Sequence, residues 1–377
     1  MKIGIDGRAA KWYRGTGIGT YTYQLIKSLN NIDLINNYLL FMPQNCACDI
    51  PLKNNFKLRN ITENIQNNFW DEINIPNILE DKDIELYHVP QNGIGLPRDK
   101  KCPFIMTLHD VIPYKMPETV SEKYLKIFSE EIPRLIPLCD AIITVSEYSK
   151  EDIIKTFNYP RDKIYVTYLA SEDIYHVIDF NESVNFIKNT YSIDSPYILY
   201  IGGFSPRKNI TGLIEAFSKL ITQYKSDIKL VIAGSKGVSY SLYKKRAIDL
   251  NIEDKVIFPG FIPMEHLPYL YNAAKLFVYP SYYEGFGLPP IEAMACGVPV
   301  ISSNITSIPE ILEDSAILIN PYDIDELCSS MYTALEDTNL RAKLIYKGLA
   351  KASKLSWLDT GRKTLNAYEN IVSKNSY

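Results

Sequence analysis

The chain has 377 residues, 46% hydrophobic and 22% charged, with a formal net charge of −4. This is more than one hydrophobic core usually supports, so two domains are expected of an ordinary soluble globular composition. The weak negative charge and the lack of a basic stripe with interleaved aromatics exclude nucleic acid as a partner, and no uncharged apolar run reaches the eighteen or so residues of a membrane span.

Met1-Lys-Ile-Gly-Ile-Asp6 begins as a strand and not as a signal peptide, which points to a cytoplasmic protein. Lys2–Asp6, Tyr38–Phe41, Ile84–His88, Phe104–Leu108, Ala141–Val145 and Lys163–Thr167 read as strands between helical patterns, the alternation of a parallel α/β sheet. Gly15-Thr-Gly-Ile-Gly19 follows the first strand and opens a helix with apolar positions Tyr21, Leu25, Ile26 and Leu29. Such a loop is a candidate for close approach to phosphate, and equally a turn whose glycines only permit tight packing. It departs from the dinucleotide spacing G-x-G-x-x-G. The second strand also runs into Met42-Pro-Gln44 with no acidic residue for an adenosine ribose, so NAD is disfavoured. Thr107-Leu-His-Asp-Val-Ile-Pro113 places His109 and Asp110 at the carboxyl edge of the sheet, where catalytic groups collect. His88, His176 and His266 match no such pattern.

The alternation breaks over the polar stretch Ser171 to Ser195 and restarts at Tyr197. This divides the chain into a first domain over residues 1–175, a linker over 176–195 and a second domain over 196–354. The second half has strands at Tyr197–Ile201, Lys229–Ala233, Val256–Phe258, Leu276–Tyr279, Val298–Ile301 and Ala316–Ile319. Residues 355–377 carry an amphipathic pattern through Trp357, Leu365, Tyr368 and Ile371. Two Rossmann-like domains follow, with the cleft between them as the default ligand site. Of six cysteines, only Cys46 and Cys48 are close, without a partner pair at zinc spacing, so a structural metal is not indicated.

Two segments of the second half carry chemistry. Ile201-Gly-Gly-Phe-Ser-Pro-Arg-Lys-Asn209 presents adjacent cations, Arg207 and Lys208, on a loop after a strand. Such a pair is either a solvated surface feature or, facing a diphosphate, the charge that neutralises a departing nucleoside diphosphate. Tyr282-Tyr-Glu-Gly-Phe-Gly-Leu-Pro-Pro-Ile-Glu-Ala-Met-Ala-Cys-Gly-Val-Pro-Val300 joins the strand Leu276–Tyr279 to a helix opening at Pro289-Pro290, where proline's fixed φ is tolerated. It holds Glu284 and Glu292 eight positions apart. Free N–H groups and the helix dipole attract phosphate, while the carboxylates accept hydrogen bonds from hydroxyls, the two kinds of group a nucleotide-sugar carries.

The E-x7-E pair, with the S-P-R-K-N and T-L-H-D-V-I-P segments, resembles the signature of retaining glycosyltransferases of family 4, which have the two-domain GT-B fold with parallel sheets facing across a cleft. The resemblance covers nearly the whole chain. It implies that Glu284 binds hydroxyls of the donor sugar, Glu292 the ribose hydroxyls, and backbone amides around Phe286, Gly287 and Leu288 the sugar and diphosphate. Arg207 and Lys208, with the loop through Gly203, would clamp the diphosphate. Gly17 would lie near the diphosphate and acceptor, and His109, beside Asp110, near the donor sugar. The Gly260-Phe-Ile-Pro263 loop resembles the base-contact loop, with backbone atoms of Phe261 and Ile262 reading the nucleobase. In the family the last helix crosses back onto the first domain.

The wording is closest to bacterial mannosyltransferase-like members of surface-polysaccharide assembly, which makes GDP-mannose the first donor and a glycan or lipid-linked saccharide the acceptor. No cofactor and no metal are expected. The alternatives are a UDP-hexose donor, a GT-B phosphorylase and a non-catalytic sugar-nucleotide sensor. Peripheral association with the inner face of the cell membrane stays open, because the helix near Glu118 to Pro137 mixes Lys123, Lys126 and Arg134 with acids.

Overall fold

The computed structural model describes residues 1–43, 49–60, 83–235, 237 and 239–375; Cys46 and Cys48 lie outside them. Two compact units result, one of residues 1–169 with 356–377 and one of residues 170–355. The first contains β1 (Lys2–Asp6), β2 (Asn37–Met42), β3 (Phe56–Asn60), β4 (Leu86–Val89), β5 (Phe104–Thr107), β6 (Ala141–Thr144) and β7 (Ile164–Val166). They form one sheet in the order β3-β2-β1-β4-β5-β6-β7, with every pairing parallel. The central strands β4, β5 and β6 are buried throughout, as a sheet covered on both faces requires. Sequence reading missed β3, whose Phe-Lys-Leu-Arg-Asn is mostly exposed at the sheet edge, where charge replaces the apolar run that marks an inner strand.

The second unit contains β8 (Tyr197–Ile201), β9 (Lys229–Ala233), β10 (Val256–Gly260), β11 (Leu276–Tyr279), β12 (Val300–Ser303) and β13 (Ile317–Ile319). Their order is β10-β9-β8-β11-β12-β13, again all parallel. Both sheets therefore reverse winding direction beside their first strand, between β1 and β4 and between β8 and β11. In open α/β sheets, ligands bind beyond the carboxyl ends of strands at such switch points.

Two boundaries differ from the sequence expectation. The first body ends at Leu169, and residues 176–195 are no linker but part of the second unit. They carry the helix Phe180–Tyr191, capped by Asp179 and stacked through Phe186 on Tyr269 with ring centroids 4.3 Å apart. The polar sequence misled because this helix buries only a narrow stripe, Ser183 and Ile187, against the unit. The C-terminal helix Trp357–Asn375 belongs to the first unit and packs on the helix Gly17–Ile32. Gly361 permits that approach, since a Cβ there would stand 2.9 Å from the Ser28 Cβ.

Candidate donor and sugar-transfer site

Arg207, Lys208 and Glu284 converge at the switch point of the second sheet. Arg207 and Lys208 end the turn Pro206–Lys208 after β8, and Glu284 lies in the loop after β11. The two loops interlock, because the Tyr282 N–H donates to the Arg207 carbonyl at 2.7 Å and the Arg207 Nη1 donates to the Tyr283 carbonyl at 2.7 Å. Both cations meet one carboxylate oxygen, Arg207 Nη1 at 3.0 Å and Lys208 Nζ at 2.5 Å from Glu284 Oε1. Lys208 also donates to the Tyr279 hydroxyl and lies over its ring. Burial pushes the Glu284 carboxyl up, but the two neighbouring cations more than reverse this and hold it at about 2. The triad thus carries two positive charges and one negative, a net cation fixed where β8 and β11 end.

Beside it, Gly287 has φ +96 and a Cβ position only 2.6 Å from Ile308, so no other residue fits without strain. It precedes the helix Leu288–Ala295, which no side chain caps. Pro289 and Pro290 lack N–H groups, so of the first three helical residues only Leu288 carries a backbone donor. The loop is held from the β12 side, as Ser307 Oγ donates to the Glu284 carbonyl at 2.9 Å and the Glu284 N–H donates to Thr306 Oγ1 at 3.3 Å. Phe286 is buried and Leu288 half-buried.

Glu292, one turn along the helix, is half-buried and accepts from the Tyr271 hydroxyl at 2.9 Å. Burial raises its carboxyl to about 7, with the nearby Glu172 adding to the effect and the Tyr271 and Tyr175 hydroxyls opposing it. Gly203 is exposed and its carbonyl accepts from the Tyr200 hydroxyl at 3.0 Å. Phe261 is exposed at the end of β10, whereas Ile262 turns into the core.

In the first unit, a five-residue helix, Arg8–Trp12, intervenes between β1 and the glycine loop. Gly17 opens the next helix, with Thr16 accepting the Gly19 N–H at 3.2 Å. His109 is buried beyond β5. Its Nε2 is 2.9 Å from the Pro90 carbonyl and its backbone N–H donates to Asn92 Oδ1 at 3.0 Å. A ring nitrogen facing a carbonyl must carry the proton, which leaves Nδ1 as the acceptor. Burial lowers this imidazole to about 4 despite the Pro90 carbonyl, so it is neutral at pH 7. One oxygen of Asp110 accepts the Ile112 N–H at 3.0 Å and shapes the turn into the helix Ile112–Lys115.

Sequence reading missed the groups that hold these side chains. Tyr279 read only as the end of a strand and Tyr271 was not singled out, yet their hydroxyls are the partners of Lys208 and Glu292. Asp6 and Arg8 form a buried ion pair at 2.7 Å, completed by Gln91 Nε2 donating to Asp6 Oδ2 at 2.5 Å. Their signal was available, since Asp6 ends β1 while Arg8 and Gln91 stand two residues past the ends of β1 and β4.

Residues 15–170 match the family described as Glycosyltransferase Family 4, and residues 183–351 match Glycosyl transferases group 1. The chain is 36% identical over 265 residues to O-antigen chain mannosyltransferase B of Escherichia coli, a span of 70% of this chain and 70% of that protein. Sucrose-phosphate synthase from Thermosynechococcus elongatus superposes with a TM-score of 0.79 at 20% identity, covering 99% of this chain and 100% of that one. HepE of Anabaena in complex with UDP and glucose gives 0.73 at 18% identity, covering 98% of this chain and 100% of that one. With both halves matched, a relative at this identity and two all-parallel Rossmann-like units, the chain belongs to glycosyltransferase family 4 and is a glycosyltransferase of the GT-B fold.

Proposed function

We propose that this glycosyltransferase moves a hexosyl unit, mannose from GDP-mannose in the first place, to a hydroxyl of a glycan or lipid-linked saccharide with retention of the anomeric configuration. The observation that carries the reading is the Arg207–Lys208–Glu284 triad beside the uncapped helix start at Leu288. A diphosphate brings negative charge that grows as its bond to the sugar breaks, and a fixed net cation with backbone donors is what that transition state needs. In this reaction the acceptor oxygen bonds to the anomeric carbon as the carbon–oxygen bond to the diphosphate breaks. The acceptor proton passes to the departing phosphate, so no carboxylate acts as nucleophile. Arg207 and Lys208 stabilise the leaving group, Glu284 holds both cations and accepts from the sugar hydroxyls, and Glu292 accepts from the ribose hydroxyls. Neutral His109 contacts the donor sugar. The mannose assignment is supported by the E. coli relative, whose name is that of an O-antigen mannosyltransferase. A nucleotide-sugar donor suits the cytoplasmic side of the membrane.

The test is transfer from GDP-mannose, UDP-glucose and ADP-glucose, with the product's anomeric carbon–hydrogen coupling read by NMR. An α-linked mannoside from GDP-mannose is expected. Preference for UDP-glucose would replace the donor, and a β-linked product from an α-linked donor would overturn retention.

A further inference from the structure

We propose that Tyr368 of the C-terminal helix and His88 of β4 are positioning residues for His109, acting through Thr107 and Tyr21; the inference rests on the sugar-contact role given to His109 above. Four side chains, each with 0% exposure, form one unbroken polar chain across the first unit. The Tyr368 hydroxyl is 2.6 Å from His88 Nδ1, His88 Nε2 is 2.8 Å from Thr107 Oγ1, and Thr107 Oγ1 is 3.0 Å from the Tyr21 hydroxyl. Tyr21 then meets the His109 ring edge-on, with centroids 4.8 Å apart and planes at 90°.

The chain closes on both supports of His109. His88 stands two residues before Pro90, whose carbonyl fixes the His109 ring, and Thr107 stands two residues before His109 itself. Bridging His88 to Thr107 therefore sets how the ends of β4 and β5 sit against each other, and with them the ring's direction. A neutral imidazole has one donor and one acceptor nitrogen, so either Tyr368 donates to His88 and His88 donates to Thr107, or both bonds run the other way. Burial keeps His88 neutral, down to about 3. Apolar side chains would dock the helix as firmly, because buried polar groups contribute little net stability once paired. What a fully satisfied polar chain adds is a unique geometry.

The experiment measures kcat and the donor KM for Tyr368→Phe and Thr107→Val, each made in the wild-type and in the His109→Ala background. Both substitutions keep side-chain volume. Each is expected to lower kcat about tenfold, the scale of a modest misplacement of a site group, with KM changed less than about twofold. In the His109→Ala background neither should lower kcat further. The same loss in both backgrounds would make the residues structural supports only, and no loss in the wild-type background would also overturn the proposal. A wild-type kcat for His109→Ala would remove His109 from the reaction and the positioning role with it. If Tyr368→Phe does not fold, as read by circular dichroism, Thr107→Val decides the same comparison from within the polar chain.

Discussion

Replacing Glu292 with Gln should raise stability and weaken nucleotide binding in the same protein, and the two effects share one cause. The Glu292 carboxyl stands at about 7 in the fold against 4.5 for a free glutamate, because burial disfavours its charged form. At about 1.4 kcal/mol per tenfold in proton affinity, that difference amounts to about 3 kcal/mol, an upper figure for a half-buried side chain. The sign follows from proton counts. Between pH 4.5 and about 7 the folded state holds more protons than the unfolded one, so stability is greatest below 4.5 and falls as pH rises through about 7. Glutamine keeps an acceptor for the Tyr271 hydroxyl and has no charge to bury.

Thermal melts of both proteins should therefore coincide near pH 4.5 and separate by roughly 4–10 °C at pH 8.5, with the variant higher. Calorimetry with GDP and UDP should show affinity reduced about tenfold or more at pH 8.5, as each charge-assisted bond to a ribose hydroxyl contributes roughly 1.5–3 kcal/mol. In the wild-type, affinity should fall below pH 7 as the carboxylate protonates. A pH-independent difference in melting temperature would refute the burial argument. Unchanged affinity in the more stable variant would remove Glu292 from the nucleotide site.

Arg207→Ala and Lys208→Ala should each lower kcat about a hundredfold or more, with a smaller change in KM, because leaving-group charge grows toward the transition state. Near-wild-type steady-state rates would leave the pair as structural partners of Glu284 only. Activity should survive EDTA, since Arg207 and Lys208 supply positive charge at the diphosphate; complete loss restored by manganese or magnesium would contradict that assignment. With the imidazole at about 4, the His109→Ala variant should lose the same factor in rate at every pH from 6 to 8.5. A loss that vanishes on one side of neutrality would show that His109 titrates there and acts as an acid or base.

Local sequence carried most of the parallel architecture. Runs such as Tyr197–Ile201 and Leu276–Tyr279 are continuous apolar segments bounded by glycine or proline, and they recur as β8 and β11 without change of boundary. The site loops were legible for a related reason. A glycine at φ +96, two prolines in a first helical turn and adjacent cations after a strand each answer to a constraint acting within a few residues. The edge strand β3 and the helix Phe180–Tyr191 were not readable as core elements, because exposed elements carry the composition of loops.

The sequence by itself determined which residues carry charge, which loops can approach a phosphate, and that two parallel sheets would form, since these depend on short-range sterics and on strand burial. Only the tertiary structure decided that Glu284 holds Lys208 across 76 positions and Arg207 at the same oxygen, and that Tyr368 reaches His88 across 280. Those pairings depend on strand order and on the return of the last helix to the first unit. The same long-range burial moves Glu292 up and His109 down, because desolvation is a property of everything packed around a group and not of its neighbours in the chain.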